Sequence, residues 1–320
     1  MRHRSNSHRL LVVVTAAALI IPACGDGDTT TTTGPIATTT ASVETTTTAS
    51  EPVATVAPTT TTVMTTTSTD TQVMGQTVYF LLEELDVDDG SPGPYLVPVH
   101  RDAPIPENAL ETSIRLLLEG PTADETSGVP PISTAIPEGT TLLGVVVEGA
   151  TATVDLSEEF DDGGGSFGMF ARLAQVVYTV TRAAEVDEVV FDIDGEVVTV
   201  FSEEGIELDG AQQRDDYYEM LPPIFLDSPA WGQPVTSPIR VRGLSNVFEA
   251  ISQVMLTDDD GEPLYEDDVM ATCGTGCWGE WQTEISYAVD REQFGALIVW
   301  EISAKDGSRI NLREYPVLLH

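Results

Sequence analysis

Basic side chains are scarce in this sequence. It contains 14 lysine and arginine residues against 52 aspartate and glutamate residues, a formal net charge of −38. Lys305 is its one lysine. Proteins that bind nucleic acid contact the phosphate backbone mainly through lysine and arginine. A chain this acidic would repel those phosphates. The composition therefore argues against nucleic acid as a partner.

Histidine and cysteine are also rare, with four and three residues. Beyond the N-terminal segment only His100 and His320 remain. A structural zinc site needs four cysteine or histidine ligands, and a serine nucleophile needs a histidine to take its proton. We therefore expect no metal, no cofactor and no catalytic residues.

An apolar run, LLVVVTAAALIIPAC, occupies residues 10–24 and follows three arginines. A basic start and an apolar centre of about 7–15 residues are typical of an export signal, and a membrane span needs about 20 apolar residues. Residues 21–24, IPAC, resemble the lipobox of bacterial lipoproteins. The resemblance implies that a signal peptide, residues 1–23, is removed and that Cys24 carries lipid, palmitate included. An ordinary cleaved signal with an incidental cysteine is the alternative.

Threonine dominates the next segment, residues 24–75, which has almost no aromatic residues and no periodicity. Such a segment cannot bury enough apolar surface to offset its ordering entropy. It predicts a disordered linker between a lipid anchor in the membrane and the folded part of the chain. The protein would then lie at the outer face of the cytoplasmic membrane.

Periodicity over residues 76–210 predicts a first folded domain in the order strand, strand, helix, hairpin, helix, hairpin. Strands are predicted at residues 78–83, 95–100, 142–148, 151–156, 189–193 and 197–201. Apolar residues at helical spacing run from Leu110 to Leu118 and from Met169 to Val180, with Ser166 as the N-cap of the second helix. Helices with one apolar stripe can cover hairpins with one apolar face, which predicts a two-layer α+β domain.

The same region resembles the GerMN domain of spore germination proteins and actinobacterial lipoproteins. The resemblance is carried by segments between residues 78 and 209: VYFLL, LVPVHR, LLLEGPT, IPEGTTLLGVVVEGATATVDLS, GGGS, RLAQVVYTVT and FDIDGE. The family is similar to ring-building domains of envelope secretion assemblies, and no catalytic residues are agreed for it. The resemblance implies a structural or interaction role.

A polar segment, residues 211–223, predicts a linker, and strand-like runs follow over residues 224–320. These runs are residues 224–226, 239–242, 249–256, 269–272, 281–289, 296–302 and 314–319. About seven short strands separated by turns predict a β-sandwich. The segments SPAWGQPVTSPIRVRG, ATCGTGCWGEW and WEISAKDGSRINLREYPV resemble the immunoglobulin-like module that accompanies GerMN domains.

Two catalytic or binding alternatives centre on Ser166. Residues 164–168, GGSFG, match the nucleophile-elbow pattern, which requires a strand before the serine, whereas the preceding residues are acidic. The glycine-rich start of a helix can also hold an anion, but the acidic residues from Glu158 to Asp162 would repel a phosphate. A wall hydrolase or esterase using Ser166 or a carboxylate pair such as one with Glu158 is the competing function.

Two short motifs in the second domain have structural and ligand-binding interpretations. Cys273 and Cys277 form an even pair, which an oxidising compartment favours as a disulfide; half of a metal site is the alternative. Asp258 to Glu262 form either a solvated hairpin turn or a weak calcium site, although Leu256 occupies the place of the first acid in an EF-hand loop.

Four tryptophans lie in the second domain. Trp281 and Trp300 fall within predicted strands and are expected in the core. Trp231 and Trp278 lie in glycine-flanked loops and are candidates for a partner surface, where aromatic rings stack on sugars or anchor a protein.

These observations favour a non-catalytic cell-surface lipoprotein that displays two interaction modules. Its expected partners are the membrane, through the lipid, and an envelope protein or peptidoglycan. A sporulation or germination role follows from the resemblance. A carbohydrate-binding or hydrolase accessory protein of the cell wall is the alternative.

Overall fold

The computed structural model describes residues 73–83, 93–184, 186–201, 205–208 and 210–320, all of which belong to one compact unit. The predicted signal peptide, Cys24 and the linker up to residue 72 lie outside the described residues. The last three residues of the predicted linker belong to the first strand, which spans Val73–Leu82. In the described part of the chain, no helix has the length and apolar character needed to cross a membrane.

The first domain contains short sheets and three helices. Its strands are β1 Val73–Leu82, β2 Tyr95–Pro104, β3 Ile132–Ser133, β4 Leu142–Glu148, β5 Thr151–Leu156, β6 Glu188–Ile193, β7 Glu196–Val197, β8 Val200–Phe201 and β9 Ile206–Glu207. Its helices are α1 Ala109–Leu118, α2 Ala123–Ser127 and α3 Gly165–Ala183. The sheets have the strand orders β2-β1-β3, β4-β5-β6-β7 and β8-β9.

Helix α3 forms the centre of this domain. Every residue from Ala171 to Val180 is buried, so this part of the helix is enclosed on all sides and not only along the predicted apolar stripe. The helix contacts β1, α1 and β6. It also connects β5 to β6, which pair in parallel, so the segment is a βαβ unit.

The structure confirms the predicted α+β class and the first hairpin, in which β4 and β5 pair around the turn at Gly149 and Ala150. The second predicted hairpin is also present, since β6 and β7 pair in antiparallel orientation around Asp194 and Gly195, but it is shorter than predicted. The predicted strand at residues 197–201 is divided, because β7 pairs with β6 for only two residues and β8 then pairs with β9. Phe201 explains the change of direction: its side chain is fully buried and its ring lies 5.4 Å from that of Phe160.

The second domain is a β-sandwich, as predicted. Its strands are β10 Ile224–Ser228, β11 Pro234–Val235, β12 Ile239–Ser245, β13 Ile251–Thr257, β14 Pro263–Met270, β15 Gly279–Ile285, β16 Gln293–Ile302 and β17 Arg309–Leu319. One sheet has the order β10-β12-β15 and the other β11-β17-β16-β13-β14. Sequence reasoning missed β11 and began β14 six residues late, because three consecutive acidic residues, Glu266 to Asp268, interrupt the apolar residues of β14.

The segment between the domains is folded, which corrects the prediction of a linker at residues 211–223. Arg214–Met220 form a 3-10 helix whose Tyr217 and Met220 are buried. The ring of Tyr217 lies 4.8 Å from that of Phe170 on α3. Polar residues dominate this segment, and the two inward-facing residues, three apart, were too weak a signal to reveal the helix.

Backbone hydrogen bonds also join the two domains. The N–H of Trp231 donates to the carbonyl of Pro98 over 2.8 Å, and the N–H of His100 donates to the carbonyl of Trp231 over 3.0 Å. Buried residues of both domains belong to one continuous hydrophobic core. The junction is therefore a packed interface.

Candidate functional site

Asp227 is the charged centre of the junction between the domains. It follows Ile224, Phe225 and Leu226, which are fully buried in β10, and its own side chain is 13% exposed. A carboxylate in such a place must be paired, because an unpaired buried charge is strongly unfavourable.

Three arginines surround this carboxylate. Arg182 at the end of α3 lies 3.4 Å away, Arg214 in the 3-10 helix lies 3.2 Å away and Arg242 on β12 lies 3.6 Å away. They come from three separate stretches of the chain and from both domains. In a chain of net charge −38, this is a local concentration of positive charge.

The guanidinium of Arg214 is fixed by hydrogen bonds and by an aromatic ring. Its Nε donates to the hydroxyl of Thr181 over 2.7 Å, one Nη donates to the carbonyl of Tyr178 over 3.0 Å, and the guanidinium lies 4.6 Å from the centre of the Tyr178 ring. Burial alone would lower the pKa of Arg214, but Tyr79 and Asp227 outweigh burial and raise it. Arg214 therefore stays charged and acts as a structural counter-ion.

Tyr79 completes the cluster from β1. Its hydroxyl donates a hydrogen bond to the carboxylate of Asp227. Burial, followed by the charge of Asp227, raises the pKa of Tyr79 above its ordinary value. The phenol therefore stays protonated and remains a hydrogen-bond donor to Asp227.

A cavity of about 700 Å³ opens beside this cluster. It is lined by Thr181, Arg182, Arg214, Tyr218, Asp227, Arg242, Gly243, Leu244, Met270, Thr272, Glu280, Trp281 and Gln282. Its size lies in the range of sites for small ligands, about 300–1,000 Å³, and such sites often lie between domains.

Gly243 shapes one wall of the cavity. A Cβ atom at this position would lie 2.0 Å from the carbonyl oxygen of Phe225 and 2.6 Å from the indole of Trp281. Only glycine therefore lets β12 pass between β10 and Trp281 at this separation.

The sequence-predicted Ser166 motif has another explanation. Helix α3 begins at Gly165 with Gly164 as its N-cap, so Ser166 is the second helical residue and not the N-cap that we predicted. The strand β5 ends ten residues before Ser166, and a 3-10 helix, Glu158–Asp161, intervenes. This is not the strand–turn–helix context that a nucleophile elbow requires.

Arg172 organises the glycine-rich segment before α3. Its side chain is almost fully buried and donates hydrogen bonds to the carbonyls of Phe160, Asp162 and Gly163 over 2.6, 3.0 and 2.9 Å. Gly164 has a φ of +103°, and a Cβ there would lie 2.5 Å from the Arg172 guanidinium. Gly164 is thus required both by its positive φ and by the arginine packed against it.

Cys273 and Cys277 lie within bridging range, with their Cα atoms 5.9 Å apart. Their loop is anchored to the preceding β12–β13 connection, because the N–H of Thr275 donates to Val247 and the N–H of Gly276 donates to Asn246. The local contacts are those of a structural loop, and in the described residues no three metal-ligating side chains converge.

We expect the double change Cys273→Ser, Cys277→Ser to lower the free energy of unfolding by about 2 kcal/mol, the value for closing so small a loop. Urea unfolding of the oxidised protein measures the loss, and peptide mapping without reductant should recover the two cysteines as one linked peptide. Free thiols at both positions in exported protein would refute the bridge.

The acidic segment from Asp258 to Glu262 forms the turn between β13 and β14. The carboxylate of Asp258 accepts the N–H groups of Asp260 and Glu262 over 3.0 and 2.9 Å, and Asp259 pairs with Arg291 over 2.5 Å. These contacts match the predicted solvated turn, since the carboxylates of Asp258 and Asp259 bind groups of the protein.

The tryptophans divide as follows. Trp281 and Trp300 are buried, as expected. Trp231 and Trp278 are half-buried and pack against the core. The backbone of Trp231 joins the domains, and the ring of Trp278 lies 5.3 Å from that of Tyr218. Only part of each indole is therefore available, and a partner surface at these residues stays a prediction.

Sequence reasoning identified none of the residues of the junction cluster. Arg214 was assigned to a linker, and Asp227, Arg182 and Arg242 lie about 15–60 residues apart in sequence. The one signal that pointed to these arginines was their rarity, because the chain has only 14 lysine and arginine residues against 52 acidic residues. Spacing alone did not show which of them meet.

Comparison with protein families accounts for both domains. Residues 77–199 match Germane, described as sporulation and spore germination. Residues 223–308 match Gmad2, the immunoglobulin-like domain of bacterial spore germination. Residues 77–199 therefore form a Germane domain, and residues 223–308 form a Gmad2 domain. The resemblances to the GerMN domain and to its immunoglobulin-like companion module are thereby confirmed, and the junction cluster lies between the Germane and Gmad2 domains.

Solved structures of low identity are similar to parts of the chain. The tandem GerMN domains of the sporulation protein GerM from Bacillus subtilis are 15% identical with a TM-score of 0.39, and the match covers 68% of this chain and 63% of that one. The first GerMN domain of the same protein is 19% identical with a TM-score of 0.34, covering 45% and 99%. A putative lipoprotein from Clostridium perfringens is 17% identical with a TM-score of 0.30, covering 45% and 89%. No curated protein matches the chain.

Proposed function

We propose that this protein is a non-catalytic lipoprotein that holds a Germane and a Gmad2 domain outside the cytoplasmic membrane and binds another component of the envelope. The partner is an envelope protein or peptidoglycan. The observation that carries the proposal is the tandem of two families named for sporulation and spore germination.

Two further observations support a binding role. The Germane and Gmad2 domains share one continuous core, so they present a single surface to a partner. Ser166, the residue of the competing hydrolase hypothesis, lies in the first turn of helix α3. Arg172 organises the glycine-rich segment before that helix. Lipid attachment rests on the lipobox at residues 21–24, followed by a threonine-rich segment that is long enough to hold the domains tens of ångströms from the membrane.

One experiment tests anchoring and binding together. Cells that express the protein are fed a clickable fatty acid and cross-linked, and the protein is purified from the membrane fraction for mass spectrometry. We expect the wild-type chain to carry the label and to recover envelope proteins or wall fragments. Cys24→Ser should lose the label because the thioether forms on that sulfur.

The matched control is the Cys273→Ser, Cys277→Ser variant, which removes the other two cysteines and should keep the label. An unlabelled wild-type chain would overturn the anchor. Recovery of cytosolic proteins alone, with a labelled chain, would overturn the envelope partner and leave the anchor standing.

A further inference from the structure

Two arginines that line the cavity at the domain junction have N–H groups without a hydrogen-bond partner among the described residues. The guanidinium of Arg242 is half exposed, lies 3.6 Å from Asp227 and makes no hydrogen bond with the described residues, since 3.6 Å is too long for one. Arg182 makes one long hydrogen bond of 3.4 Å to the same carboxylate. With respect to the described residues, the two arginine side chains, which line the cavity, therefore keep most of their N–H groups free of hydrogen bonds.

The charges of the lining favour a ligand with one negative charge. Three arginines face the two carboxylates of Asp227 and Glu280, which leaves a surplus of one positive charge. Asp215 lies close enough to act on Tyr218 but does not line the cavity, so it leaves this balance unchanged. A doubly charged phosphate would meet these nearby acids without a second free counter-charge, whereas a single carboxylate balances the surplus. The planar arginine fork also matches a carboxylate in geometry.

The rest of the lining fits a short peptide. Thr272 and Gln282 offer hydrogen-bonding side chains, and Tyr218 and Met270 offer apolar surface. Met270 is 71% exposed at the rim. A cavity of about 700 Å³ has room for a carboxylate together with an amide-containing body.

We propose that the junction cavity binds the free terminal carboxylate of a short peptide, with Arg182 and Arg242 as its recognition residues. One arginine comes from the Germane domain and the other from the Gmad2 domain, so the ligand contacts both. The inference goes beyond the envelope role above and does not depend on the lipid anchor.

Calorimetric titration of the purified full-length protein tests the site. The probe is N-acetyl-alanyl-alanine, used as its L,L and its D,D isomer, together with the C-terminal amide of each and inorganic phosphate. We expect the acids to bind at least tenfold more tightly than their amides and than phosphate. Arg242→Gln should weaken binding of the acids at least tenfold, because it removes the freest donor group.

Arg240→Gln is the matched control, since Arg240 lies two residues away on the same strand but does not line the cavity. It should change affinity less than twofold. Circular dichroism checks that both variants are folded, and the comparison of acid with amide on the unaltered chain needs no variant.

Equal binding of acid and amide would overturn the proposal, as would phosphate binding as tight as that of the acids or unchanged affinity in Arg242→Gln. Tighter binding of either isomer supports the site and distinguishes the source. Preference for the D,D isomer indicates wall stem peptides, and preference for the L,L isomer indicates the C-termini of proteins.

Discussion

Replacing Asp227 with alanine is expected to lower the free energy of unfolding by about 3–5 kcal/mol, the range for removing one partner of a buried ion pair. Asp227 is the shared counter-ion of Arg182, Arg214 and Arg242 and accepts the hydroxyl of Tyr79. Its loss leaves three like charges together and a buried phenol without its acceptor. Urea unfolding, followed by tryptophan fluorescence and far-ultraviolet circular dichroism, measures the change.

Asp259→Ala is the control for the loss of an ion pair as such. Asp259 pairs with Arg291, whose side chain is 60% exposed, and ion pairs exposed to solvent contribute little to stability. A loss below about 1 kcal/mol in Asp227→Ala would show that Arg182 and Arg214, the two less exposed arginines, become solvated in its absence. The junction would then not be held by this carboxylate.

Arg172→Met is expected to lower the free energy of unfolding by at least about 3 kcal/mol, because each hydrogen bond from a charged donor contributes about 1.5–3 kcal/mol. Methionine keeps the apolar part of the side chain but leaves the carbonyls of Phe160, Asp162 and Gly163 without their donor. Urea unfolding measures the total, and faster amide hydrogen exchange over residues 158–168 should locate the change.

Arg115→Met is its matched control on α1. The side chain of Arg115 is 56% exposed and pairs with Glu111 one helical turn away, so the expected change is within about 0.5 kcal/mol. If both variants lost the same small amount, or exchange over residues 158–168 were unchanged in Arg172→Met, Arg172 would not organise the start of α3.

The fold classes of the two domains were predictable from local sequence patterns. The predicted elements that were wrong have identifiable physical causes. The helical stripe from Met169 to Val180 and the hairpin around Gly149 depend on neighbours within a few residues, so periodicity reveals them. The parallel pairing of β5 with β6 depends on how α3 packs across the sheet, and no local pattern reports it. The 3-10 helix Arg214–Met220 owes its order to Tyr217 and Met220 packing into the core.

The candidate site shows the same division more sharply. Ser166, Cys273 and Cys277 belong to short motifs, which are visible in the sequence alone. Tyr79, Arg182, Asp227 and Arg242 belong to no motif, because each lies on a different element and only packing brings them together.

The sequence by itself determined the acidic character of the chain, its export signal pattern, the order of its two domains and the two families to which they belong. These properties follow from composition and from residues close to one another along the chain. Only the tertiary structure decided that the domains share a core and that three arginines converge on Asp227 beside a cavity. Charges from distant segments can be held together in this way because the burial of apolar side chains around them fixes the elements that carry them.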